Sequence, residues 1–181
     1  ALSIRDRVLL SFEQASRETD PAKRKKYLTF VCVGAGPTGV EMAGSLTEIG
    51  KKILSTEFRH IDPKELEVHI VEGGPRVLAG YHASLSERAK RDLEGMGVTV
   101  HLNSMVEDVQ PDYVKSGELK IETVNIIWAA GNEGVPVLKT LDTEVLRDGR
   151  VVVNKDLALP NDPNVFVMGD AAASDDMTGN Y

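Results

Sequence analysis

Apolar residues at the start of the chain recur at helical spacing, and then the pattern switches to short uninterrupted runs. Ile4, Val8, Phe12 and Ala15 share one side of residues 3 to 18, with arginine and glutamate opposite, which predicts an amphipathic helix. Asp20-Pro21 and the basic run Lys23-Arg24-Lys25-Lys26 come next. They predict a break in the helix and an exposed linker whose four charges are solvated, not gathered into a nucleic-acid patch.

From Tyr27 the pattern alternates. It predicts a strand over 29–33, a helix from 38 to about 58, a strand over 68–71, a helix from 84 to about 96 and a strand over 98–102. These strands are continuous apolar runs, the signature of a parallel sheet covered on both faces. Gly95-Met96-Gly97 stops the second of these helices. Weaker strand candidates over 105–109, 113–115 and 118–121 are separated by Gln110-Pro111 and Ser116-Gly117, and read as an antiparallel meander. A last apolar strand over 124–128 runs into Ala129-Ala130-Gly131, followed by loops, a strand over 150–153 and the apolar stretch 165–168. The predicted fold class is α/β, a parallel sheet with helices on both faces plus a three-stranded antiparallel meander.

Composition changes this picture little. With 41% hydrophobic and 27% charged residues the chain is an ordinary globular one. A net charge of -7 disfavours broad binding to nucleic acid or anionic membrane, since both reward a basic face. Cys32 is the single cysteine, so no intrachain disulfide or multi-cysteine metal site can form. His60, His69, His82 and His101 lack metal-ligand spacing, and no metal site is expected. Trp128 and the five methionines read as core-packing residues.

The chemistry concentrates in FVCVGAGPTGVEMAG, residues 30 to 44. Gly34, Gly36 and Gly39 stand in GxGxxG register between a strand and a helix, with Ala35, Pro37 and Thr38 between them. Here one glycine permits a tight turn, the next leaves room for a pyrophosphate, and the third lets the helix approach the strand. The helix N-terminus then holds the anion on backbone N–H groups. That combination predicts a Rossmann-like dinucleotide site. Glu72 ends the second strand, where a carboxylate accepts hydrogen bonds from the adenosine ribose, although the interval from Gly39 exceeds the usual ~20 residues. An insertion around Phe58 to Pro63 is the expected source of the excess. A carboxylate there repels a 2′-phosphate, which favours NADH over NADPH, and Arg76 could soften the preference. The plainer reading of Glu72 is a solvated strand-end residue.

These motifs, with Leu10-Ser11-Phe12-Glu13, Val71-Glu72, Gly74-Pro75-Arg76-Val77-Leu78, IIWAAG (126–131) and VFVMGDAA (165–172), resemble the type II NADH:quinone oxidoreductases, within the pyridine-nucleotide-disulfide reductase fold. The resemblance implies that Glu41 lies beside the nicotinamide, that Ala129, Ala130 and Gly131 form a backbone wall near the cofactor, and that Gly169-Asp170 meets the ribityl chain of FAD. A carboxylate steadying the helix N-terminus is the alternative for Glu41. It further implies residues 1–26 as helix and linker of an FAD domain, 27–131 as the NADH-binding domain, and 132–181 as a truncated return to the FAD domain. Both ends are expected to be cuts.

The implied whole enzyme is an FAD-dependent NADH dehydrogenase that passes hydride to flavin and electrons to quinone. It is expected in the cytoplasm, peripheral on the inner membrane face, with membrane contact only through later segments. The chain alone is expected to be flavin-free and inactive, and either to self-associate through residues 1–20 or to leave them disordered. The alternatives are a ferredoxin-type or disulfide reductase of the same superfamily, and a nonenzymatic NADH-sensing module.

Overall fold

In chain order the elements are α1 (Leu2–Arg17), α2 (Pro21–Leu28), β1 (Thr29–Val33), α3 (Pro37–Glu57), β2 (Glu67–Val71), α4 (Ala83–Met96), β3 (Val98–His101), β4 (Asp108–Gln110), β5 (Tyr113–Ser116), β6 (Leu119–Glu122), β7 (Asn125–Trp128), β8 (Val151–Val153) and β9 (Ala172–Ser174). The structure is a computed structural model and describes residues 2–131 and 135–174. It divides into two units, Ala1–Ala130 and Gly131–Tyr181.

In the first unit the strand order is β3-β2-β1-β7, and all three pairings are parallel. All five residues of the central strand β1 are buried, which is why its sequence carries no polar alternation. Phe30 and Cys32 face one side, where α1, α3 and α4 supply Phe12, Ala43, Leu46, Leu54 and Leu93. Val31 and Val33 face the other, and there Val114 and Ile121 of the antiparallel sheet β4-β5-β6 cover them. The α/β class with its parallel sheet and meander is as predicted. The expectation of helices on both faces is corrected, because the meander supplies the apolar cover that a second helical layer would otherwise provide.

Three local expectations also change. The basic run expected as a linker lies inside α2. Asp20 caps that helix by accepting from the N–H of Ala22 at 2.9 Å, and Pro21 fits the first turn, where its missing N–H costs nothing. Arg24, Lys25 and Lys26 meet Glu65, Glu67 and Asp112 at 2.7, 2.9 and 3.0 Å. The strand expected to begin at Met105 begins at Asp108. Before it the chain turns at Asn103 (φ +52°) and bonds to the loop after β2. The length between Gly39 and Glu72 is absorbed by the 21-residue α3 together with a capped turn at Asp62–Glu65, not by an insertion alone.

The second unit pairs β8 with β9 in parallel over a small core of Leu138, Val151, Val153, Leu159 and Val167. Residues 165–168 form no strand, only a single bridge from Phe166 to Ala158.

Candidate functional site

The glycine-rich turn leaves β1 at the carboxyl end of the parallel sheet. Gly34 adopts φ +99°, and its N–H donates to the Val71 carbonyl at 2.9 Å. A Cβ there would stand 2.8 Å from the Ala130 Cβ and nitrogen. At Gly39 a Cβ would fall 2.0 Å from the Gly34 carbonyl oxygen, so α3 can pack on the turn only because this residue is glycine. Gly36 differs from both. Its backbone is ordinary (φ -70°), and a Cβ would meet nothing within 4 Å. Among the described residues no contact requires a glycine there.

The turn delivers Pro37 to the first position of α3, with Thr38 and Gly39 following. Side chains cap α2 and α4, through Asp20 and His82, but none caps α3. Its first-turn N–H groups carry the partial positive charge of the helix end with no side-chain acceptor supplied. Space beside Gly36 and a helix start that no side chain caps together fit an anionic group such as a pyrophosphate.

Glu72 stands next to this turn and is half-buried. One carboxylate oxygen accepts from the Ala35 N–H and the other from the Gly74 N–H, both at 2.7 Å. Glu72 therefore ties the glycine-rich turn to the loop after β2. A carboxylate has about four acceptor positions, so capacity remains for hydroxyl donors from a ligand. The same loop is held by the Leu78 N–H, which donates to the Ala35 carbonyl at 2.8 Å. The Arg76 guanidinium donates to the Ala79 carbonyl at 2.6 Å and so is engaged within its own loop.

Ala129 continues β7, with its N–H donating to the Val33 carbonyl at 2.8 Å; it and Ala130 are half-buried. Gly131 is exposed at φ +70°. Glu41 is exposed on α3, past the first turn. The structure thus brings Gly34 to Gly39, Glu72, Ala129 and Ala130 to one end of one sheet. Gly169 (φ +70°) and Asp170 lie in the second unit, on a short 3₁₀ turn, with Asp170 exposed.

Several side chains depart from the sequence reading. Trp128 is 61% exposed and Met105 and Met168 are 68% and 65% exposed, which corrects the core role expected of them. Met42 does pack against the core, and Met177 lies outside the described residues. Cys32 is buried, and burial pushes its thiol up to about 12, so it is a core residue and no nucleophile at neutral pH.

The histidines, scattered in sequence, are not all scattered in space. His69 and His101 stack at 5.4 Å across β2 and β3, with Nδ1 of one 3.2 Å from Nε2 of the other. Among the described residues no group of three or more histidine, cysteine or acidic side chains could hold a metal ion. Burial lowers both histidine pKa values. At His69 the partner ring and Lys25 add to the fall and Glu67 opposes it. A histidine whose folded pKa lies below its unfolded value of about 6.5 contributes full stability above that value and loses it as pH falls. The wild type is therefore expected to lose a few degrees more of melting temperature than His69→Gln between pH 7 and pH 5. Equal losses in the two proteins would contradict this.

The family model for pyridine nucleotide-disulphide oxidoreductases matches residues 4–180. Two Mycobacterium tuberculosis proteins, the type II NADH:quinone oxidoreductases Ndh and NdhA, are 42% and 44% identical over 99% and 94% of this chain. The chain spans about two fifths of their length, 41% and 38%. Among solved structures, NDH2 of Plasmodium falciparum in complex with NADH superposes with a TM-score of 0.79 at 22% identity, over 96% of this chain and 38% of its own. A ferredoxin reductase from Rhodopseudomonas palustris shares the fold with a TM-score of 0.64 at 20% identity, over 84% of this chain and 35% of its own. The resemblance drawn from the motifs is thus found across nearly the whole chain, and the chain belongs to the pyridine nucleotide-disulphide oxidoreductase family.

Proposed function

We propose that this chain is the NADH-binding part of an FAD-dependent NADH dehydrogenase that delivers electrons to a quinone. The observation that carries the reading is the open space beside Gly36 at the uncapped start of α3, with the Glu72 carboxylate next to it. In this reading the α3 N-terminus holds the pyrophosphate, Glu72 accepts from the adenosine ribose, and Ala129 to Gly131 line the cofactor as a backbone wall. Glu41 stands toward the nicotinamide. Asp170, which is exposed, has the chemistry to accept hydrogen bonds from the ribityl hydroxyls of FAD. When bound, NADH and FAD would supply the hydride-transfer chemistry, while the protein supplies position and electrostatics. The names of the M. tuberculosis relatives support quinone as the acceptor. Residues 1–26 and 132–181 would contribute to an FAD domain, and membrane association would come from segments outside this chain. Among the described residues no helix is long and apolar enough to cross a membrane.

The test is cofactor choice. A charge-assisted hydrogen bond to the ribose is worth roughly 1.5 to 3 kcal/mol, which corresponds to about a ten- to hundredfold preference for NADH over NADPH. Glu72→Ala should erase most of that ratio. The ratio is the informative quantity, because loss of the tie to Ala35 weakens both cofactors together. Equal binding of both by the wild type would remove Glu72 from the ribose. Turnover of the FAD-loaded full protein with quinone, ferredoxin or a disulfide then identifies the acceptor.

A further inference from the structure

We propose that Met105 forms an oxidation-sensitive floor for the adenine of the dinucleotide, so that a peroxide weakens cofactor binding by converting its thioether to a sulfoxide. This rests on the reading of the site as a dinucleotide site. Met105 is 68% exposed, yet the backbone around it is fixed. Just before it the Asn103 N–H donates to the Gly74 carbonyl at 2.9 Å and the Ser104 N–H to the Glu72 carbonyl at 2.8 Å. The side chain lies across Gly73, where a Cβ would come within 2.6 Å of the Met105 Cε and 3.2 Å of Sδ. As placed, the thioether occupies space that a side chain at residue 73 would contest.

An apolar, polarisable surface is thereby laid beside Glu72 at the carboxyl end of the sheet. A base attached to a ribose on Glu72 meets that surface, and sulfur makes favourable contacts with aromatic rings. Oxidation reverses the character of the floor. One oxygen passes from hydrogen peroxide to sulfur, the O–O bond breaks as the S–O bond forms, sulfur loses two electrons, and the remaining oxygen leaves as water. The sulfoxide is polar and larger, so it suits neither the ring nor the close seat over Gly73, and sulfoxide reductases can restore it.

The experiment titrates NADH into the full protein before and after hydrogen peroxide, for wild type and Met105→Leu, with oxidation at Met105 verified by peptide mass spectrometry. Reduced nicotinamide mononucleotide, which lacks adenine, serves as the second probe. Peroxide should raise the wild-type Kd for NADH about three- to tenfold, the range a sulfur–aromatic contact supports. It should leave Met105→Leu and the mononucleotide affinity unchanged. Met105→Gln should reproduce the oxidised protein without peroxide. Exposed Met168 and Met96 are controlled by Met105→Leu, which retains them. A peroxide effect that persists in Met105→Leu, or wild-type NADH affinity in Met105→Gln, overturns the proposal while leaving the dinucleotide site standing. Failure of the wild type to bind NADH at all overturns both.

Discussion

Phe12→Ala is expected to lower the stability of the first unit by about 3 to 5 kcal/mol, the range for truncating a buried phenylalanine. Phe12 is fully buried, edge-on to Phe30 at 5.9 Å and to Phe58 at 6.0 Å. It also faces Gly50, where a Cβ would stand 3.4 Å from its ring, so α1 and α3 approach closely at that point. At about 2 to 4 °C per kcal/mol for a chain of this size, the melting transition should fall by roughly 6 to 20 °C. A loss below about 1 kcal/mol would mean that α1 does not dock in solution, and that its apolar side is free to seek another surface.

A second pair of substitutions separates folding from binding within one motif. Gly39→Ala places a methyl group 2.0 Å from a backbone oxygen, and a backbone oxygen cannot swing aside. Overpacking of this kind costs about 1 to 3 kcal/mol and sometimes more, so melting temperature and NADH affinity should both fall. Gly36→Ala places its methyl group in open space with an ordinary backbone, so the melting temperature should stay within about 1 °C. In the proposed site that methyl group stands where the pyrophosphate approaches, and NADH affinity should fall at least about tenfold. Thermal melts and NADH titrations on both variants check this. Undiminished NADH binding by Gly36→Ala would place the pyrophosphate elsewhere.

The parts legible in the sequence are those in which one local rule fixes the outcome. Continuous apolar runs marked β1 and β2 as buried parallel strands, and Gly34 and Gly39 are glycines for reasons their spacing already states. What escaped depends on long-range pairing. Lys23 to Lys26 read as a linker because the carboxylates facing Arg24, Lys25 and Lys26 come from Glu65, Glu67 and Asp112, far along the chain. His69 and His101 became neighbours only through the register of β2 on β3. Which layer covers the second face of a sheet is likewise invisible to periodicity, since Val31 and Val33 are equally apolar under a helix or a meander. Met105 looked like a filler for the core. Its exposure follows from the turn at Asn103, which no apolar pattern encodes.

The position of β1 has a consequence for the chain as it is made. Its register joins Phe30 to Val68 on one side and to Asn125 on the other. At about 5 to 20 residues per second of synthesis, the interval between those two partners leaves one edge of β1 unpaired for several seconds. During that time a strand apolar in all but Thr29 presents open N–H and C=O groups, the configuration that recruits strands from other chains. The first unit closes only when β7 arrives, so a polypeptide stopped before residue 125 keeps every glycine of the turn after β1 and still carries an adhesive edge.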